Sequence, residues 1–400
     1  MSAAAVRGGP TRGGPGELMP VDVCVPLEDS TTGADILTRA LRVLIGELLR
    51  IGPDAAASHG RRAELAMFQS ILRVVARTSP GALAALARLP NVGALVRSLR
   101  MAPDAATRDA WAGELALVVA TELALGGALP EEIAVSAPPR RIVALGRRAT
   151  FLIPADARCV TASPSGALHV DDVTTPLQIE SPSPFHAIHN GLVLATVDNN
   201  PLHMVEAHPD KRGNAVDLGG RAASEWTAST HGALETIAQH LPAFRREIDL
   251  FVRQIVPVGY DEETHLSASY REAIGTLYLS LHPSALTMVE AIIHETSHNK
   301  LNALIELDPL LENDSDERHA SPVRPDGRPL LGVLLAVHAF LPVAALYESM
   351  LRSREDAGVR ARYEAVRRMN AEGAAVLALN ARPTALGRTV LQEIEERVRL

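Results

Sequence analysis

One short stretch combines residue type and spacing in a way that could hold a metal: His294-Glu295-Thr296-Ser297-His298, an HExxH. On an α-helix, positions i and i+4 stack one turn apart on the same face, so both imidazoles can reach a single cation, while Glu295 points about 100° round the axis. Ile292, Ile293 and Leu301 flank the pair and argue for burial, and two buried imidazoles need a satisfying partner that a cation supplies. The plain alternative is an exposed helical turn carrying two polar histidines.

A third ligand must come from elsewhere. The metzincin extension requires Gly at 301 and His at 304, where this chain has Leu301 and Leu304, so that class is excluded. Glu348, in Tyr347-Glu348-Ser349, is a gluzincin-like carboxylate candidate. His338 is the favoured one: it is the odd polar residue in Leu334-Leu335-Ala336-Val337-His338-Ala339-Phe340-Leu341, where an unpaired imidazole is costly. Ten positions leave Glu348 about 80° short of a whole number of turns from His338, so one site does not use both. Before that helix, Arg324 and Arg328 lie between Pro322, Pro325 and Pro329. Guanidinium forks pinned in this way suit a carboxylate, although either could instead pair with an acid of the same loop such as Asp308, Glu312 or Glu317. Twelve of the fourteen histidines lie between His186 and His338. Of these, His186, His189, His203 and His208 read individually as polar loop groups.

The HExxH needs a helix, and Ser284, after Pro283, is its N-cap, with the helix running to about Ile305. Upstream, residues 30–126 repeat apolar residues at helical spacing, cut by Pro80, Pro90 and Pro103; Thr32 with Asp35 resembles a capping box. Short β-prone runs follow at 141–145, 149–153, 167–170 and 192–197, then a helix over 224–256, further β-prone runs at 264–269 and 276–281, and a long loop over 308–329. The fold class is α+β, mostly helical: a flexible tail over 1–27, an irregular helical N-terminal region over 28–128, and over 129–400 a small central β-sheet with C-terminal helices carrying the HExxH.

Composition narrows the partners. A net charge of -8 and 3% aromatic residues disfavour nucleic acid. Two cysteines without a CxxC, and no apolar leader in the first twenty residues, fit a reducing cytoplasm. The apolar run 330–347 reaches the lower length limit for a bilayer span, but His338 and Pro342 inside it favour a buried helix.

Together, HETSHNKLNAL from His294, the SPVRPDGRP loop from Ser321 and AVHAF from Ala336 resemble the HExxH-motif peptide-modification family, the 2-oxoglutarate-dependent HExxH-type peptide β-hydroxylases of ribosomal peptide natural-product pathways. The resemblance spans roughly residues 193–347, and Asp198-Asn199-Asn200-Pro201-Leu202 and Ser267-Ala268-Ser269-Tyr270 agree with it. It implies Fe(II) on His294, His298 and His338, with 2-oxoglutarate gripped by Arg328, or failing that Arg324, and Ser267 and Ser269 lining the pocket. It further implies O2 as co-substrate and a ribosomally made precursor peptide hydroxylated at a side-chain β-carbon, with partner modification enzymes. Glu295 would orient a water or a ligand. The rival reading is a zinc peptidase in which Glu295 is the general base. A non-catalytic peptide-binding scaffold is the third. The N-terminal helices are expected to shape a peptide surface or to contact a partner enzyme.

Overall fold

The computed structural model describes residues 22–399 apart from 172, 174, 205–212 and 323, and for 324 and 325 the backbone only. Five helices open it: α1 (Thr32–Arg50), α2 (His59–Thr78), α3 (Pro80–Ala87), α4 (Pro90–Ser98) and α5 (Ala105–Leu125). Ser58 and Asp104 cap α2 and α5 by accepting from the amides of Arg61 and Thr107. Pro80 and Pro90 open α3 and α4 in the first turn, where an N–H has no intrahelical partner. At α1 the capping box is not formed: Thr31 precedes the helix, and the Thr32 hydroxyl donates to Asp22 instead.

Strands β1 (Ile133–Ser136), β2 (Arg141–Ala144), β3 (Ala149–Leu152), β4 (Cys159–Ala162) and β5 (Leu168–Val170) form an antiparallel sheet in the order β1-β4-β5 and a hairpin of β2 with β3. Most of their buried residues, from Ile133 to Val170, share one hydrophobic core with α2 to α5. Most of these strands cover the apolar face of α5, while Val143 and Leu145 pack with Phe185, Val193, Ala195 and Val197.

The second core surrounds a five-stranded sheet in the order β6-β7-β8-β10-β9, made of β6 (Phe185–His189), β7 (Leu192–Ala195), β8 (Gln254–Tyr260), β9 (Ser267–Ala268) and β10 (Thr276–Leu281). The inner pairs β7/β8 and β8/β10 are parallel, the outer pairs antiparallel. The single helix expected over 224–256 is α6 (Ala223–His240) and α7 (Pro242–Phe251), broken at Leu241 because proline follows, and its last residues belong to β8. Then come α8 (Ala285–Ile305), a hairpin of β11 (His319–Ser321) with β12 (Arg324–Arg328) within the expected loop, α9 (Leu330–Ser353), α10 (Ala357–Asn380) and α11 (Ala385–Arg399). The apolar window of α9 has a mean hydropathy of 2.2 and is 67% buried inside the fold.

Of the expected tail, residues 1–21 lie outside the described residues. The rest is not a tail: Val23, Cys24 and Val25 are buried. Their amides and carbonyls are paired in the interior, the Cys24 and Val25 N–H groups with the Glu393 carboxylate at 3.0 and 3.2 Å and the Val25 carbonyl with Arg397 at 3.0 Å.

The two cores meet where Asn199 donates to Glu114 on α5 (3.3 Å). Burial, reinforced by the nearby Asp198 charge, raises the Glu114 carboxyl to about 7. A raised carboxyl favours the neutral folded form, so its contribution to stability is full below about 4.5 and is lost as pH rises through 7. Glu114→Gln should thus stabilise the chain at pH 8 by up to about 3 kcal/mol, each tenfold change in the acid constant being worth about 1.4 kcal/mol, and change nothing at pH 4. Urea unfolding at the two pH values measures it, and an equal effect at both contradicts it.

Candidate metal centre

α8 is held at both ends of its inner face. Ser284 caps it by accepting from the Thr287 amide at 3.3 Å. Asn299, fully buried, accepts from the Gly275 amide at 2.5 Å and donates to the Glu295 carbonyl at 2.9 Å. Gly275, at φ +107, enters β10 in a conformation that side chains disfavour, and its carbonyl accepts from the amides of Arg253 and Gln254. The helix turn carrying His294 and His298 is thereby tied to the parallel strands β8 and β10.

The two imidazoles converge as the spacing predicts. Their Nε2 atoms are 2.8 Å apart, the rings lie edge to face at 4.4 Å, and both are half-buried. Ligand atoms of His294, Glu295 and His298 all fall within 4.8 Å of one another, and the Glu295 Oε2 and His298 Nδ1 atoms are buried without a hydrogen-bond partner among the described residues. Burial, then the His294 imidazole and the Arg328 guanidinium, hold His298 well below the usual histidine range. It is therefore a neutral imidazole with a lone pair available. Two converging imidazoles, one of them held neutral by burial, and an orphaned buried carboxylate oxygen fit a divalent cation with nitrogen and oxygen preference. Phe340 of α9 packs on His294 at 4.8 Å and walls one side of the site.

His338 lies outside this 4.8 Å group, although the charges of both His298 and His294 reach it. It is fully buried on α9, but its Nε2 lies 3.3 Å from the Val23 carbonyl and its Nδ1 has no partner among the described residues. Burial, then the Lys300 charge, depresses it to about 3, so it is a neutral ring donating to a backbone carbonyl. The lone imidazole in the apolar helix thus answers to a peptide group 315 positions away, which local periodicity cannot reveal. Glu348 is also elsewhere, exposed and 3.4 Å from Arg352 one turn on.

Of the two arginines, the Arg324 side chain lies outside the described residues. Arg328, on β12 opposite His319, crosses Gly332 at the start of α9, where a Cβ would stand 3.3 Å from its Nε. Its charge is felt at His298. Ser267 is on the edge strand β9, opposite Leu279, and the Ser269 Oγ beyond it is buried without a partner among the described residues. His208 falls among residues not described, while His203 is half-buried with its Nδ1 2.7 Å from the Asn200 carbonyl.

Neither protein-family models nor curated proteins give a match to this chain.

Several supporting residues carry no sequence signal of their own. Tyr278 on β10 donates to Asp198 (2.7 Å) and accepts from Asn200 (3.1 Å), and Tyr270 donates to the His203 carbonyl (2.7 Å) and accepts from Asn214 (2.6 Å). This network joins the 198–202 and 267–270 segments beside the strand that leads into α8. Behind the site, Lys300, 1% exposed, donates to Glu247 of α7 at 2.5 Å. Gly33 of α1 makes room for that pair, since a Cβ there would stand 2.6 Å from Glu247 Oε1.

Proposed function

We propose that this chain is a peptide-modifying non-haem iron oxygenase that hydroxylates a side-chain β-carbon of a ribosomally made peptide with 2-oxoglutarate and O2. The observation that carries the reading is the convergence of His294 Nε2 and His298 Nε2 at 2.8 Å with the Glu295 carboxylate in the same group. Two imidazoles and a carboxylate are the donor composition that suits Fe(II) in such oxygenases, in place of the three-histidine set expected from the sequence. Fe(II) bound with 2-oxoglutarate supplies the oxidising power for C–H hydroxylation, with succinate and CO2 as co-products. The protein's part is to hold the His298 imidazole neutral, to keep one wall apolar with Phe340, and to offer Arg328 to the remote carboxylate of 2-oxoglutarate by a charge-assisted fork.

A second reading, a zinc peptidase, is favoured by one observation: the Glu295 carboxylate stands beside the imidazole pair, where a general base for a bound water belongs. The two part company on co-substrate. Protein loaded with Fe(II) without oxygen, mixed with a candidate precursor peptide, and then given O2 should add one oxygen atom to the peptide only when 2-oxoglutarate is present. Cleavage products formed without 2-oxoglutarate would assign it to the peptidases.

Arg328 gives a sharper test. Arg328→Leu should raise the 2-oxoglutarate concentration for half-maximal succinate formation about a hundredfold while leaving Fe(II) affinity within about threefold, as for loss of a charge-assisted bidentate contact. An unchanged half-saturation concentration removes Arg328 from that role.

A further inference from the structure

Away from the metal centre, a cavity of about 310 Å³ lies between α9, α10, α11 and the buried N-terminal segment. At a liquid share of about 30 Å³ per water this holds about ten waters, enough for a small organic ligand. One wall is aliphatic, built from Leu341 and Ala345 of α9, Val398 of α11 and Val25. The opposite wall is a polar stripe of α10, Tyr363, Arg367 and Asn370, which fall at i, i+4 and i+7 on one helical face.

Two features of this stripe are unexplained by the fold. Asn370 is 3% exposed and lines the cavity, yet its amide makes no hydrogen bond with any described residue. Its polar edge opens into the cavity rather than being sealed in the interior, so it is placed to meet a ligand there. Arg367 has its guanidinium 5.7 Å from the Tyr363 ring centroid and forms no ion pair with any described residue. A guanidinium fork resting on an aromatic face keeps its donor edges available for a planar anion. Arg397, the other cation of the lining, is already engaged by the Val25 carbonyl and Glu393. Glu348 stands in the lining as well, which disfavours a multiply charged anion such as a phosphate.

We propose that this cavity binds a carboxylate carried on an apolar stem, with the carboxylate between Arg367 and the Asn370 amide and the stem against Leu341, Ala345 and Val398. A free aliphatic acid and an acidic side chain set among apolar residues of a peptide share this chemistry. The site does not depend on the metal reading, since none of its groups is a candidate metal ligand of the assembled centre.

The test is isothermal titration calorimetry on the full chain with EDTA present, so that carboxylate binding to a metal cannot contribute. The probes are octanoate, the capped tripeptide acetyl-Leu-Glu-Leu-amide, and octanol as the uncharged control. Saturable binding of octanoate or of the tripeptide at one per chain, at least about tenfold tighter than octanol, is the expected result, and which probe binds identifies the source of the acid. Arg367→Gln and Asn370→Leu should each weaken it about tenfold or more, and Ala345→Phe should abolish it by filling the stem's space, with unchanged circular dichroism in all three. Arg367 is exposed, so its variant tests the idea even if an interior substitution unfolds the chain. No binding of either acid up to about 10 mM, binding no tighter than octanol, or binding indifferent to Arg367→Gln overturns the proposal.

Discussion

Removing one imidazole of the HExxH pair should weaken divalent-cation binding at least about a thousandfold, equivalent to about 4 kcal/mol, whereas His338→Gln should change it less than about tenfold. The contrast follows from where the rings point. His294 and His298 share a site through Nε2 atoms 2.8 Å apart, while the Nε2 of His338 is committed to the Val23 carbonyl. Competition of His294→Ala, His298→Ala and His338→Gln against a chromophoric chelator measures all three affinities. His338→Gln should show its effect in stability instead, because it disturbs a fully buried donor that holds residues 22–25 in place. If His338→Gln loses the cation as completely as His298→Ala does, the imidazole on α9 is a ligand after all.

A second large effect lies in the support of the metal helix. Lys300 is buried among carboxylates, bonded to Glu247 and close enough for its charge to act on Asp22, which is held low, and on Glu393, which burial raises against it. Burial raises Glu247, and the Lys300 charge opposes that rise. Lys300→Met leaves these acids without their cation inside the protein, and the expected loss is about 3–5 kcal/mol, a large share of the usual stability of a folded domain. The double variant Lys300→Met/Glu247→Leu should recover at least half of that loss, since a buried pair removed whole costs far less than one removed by half. Urea denaturation of the single and double variants reads both numbers. A loss below about 1 kcal/mol in Lys300→Met contradicts the assignment.

What is legible in the sequence divides along physical lines. The HExxH helix can be read to its cap, because Ser284, the i/i+4 pair and the apolar flanks are all local signals, and α8 runs from Ala285 to Ile305 as expected. The predominance of helix with small sheets follows from periodicity in the same way, as does β10. Strands β1, β4 and β6 escape such a reading, although they are no shorter than β2, β3 and β5, whose β-prone runs can be read. His338 marks another limit of the sequence. A lone imidazole in an apolar helix does need a partner, but here the partner is a carbonyl in a segment whose own composition reads as a tail. The pairings that bury that segment, Cys24 and Val25 with Glu393 and Val25 with Arg397, join opposite ends of the chain. Lys300 with Glu247 is equally non-local, and a lysine after an apolar stretch reads in sequence as the solvated edge of a helix.

The metal centre stands or falls on His294 and His298 sharing one cation, and zinc K-edge X-ray absorption on the chain reconstituted with one equivalent of metal tests that most directly. The spectrum should require two imidazole nitrogens at about 2.0–2.1 Å, and His294→Ala/His298→Ala should retain no stoichiometric metal. A wild-type spectrum fitted without imidazole scattering, or the same imidazole count in the double variant, would contradict it.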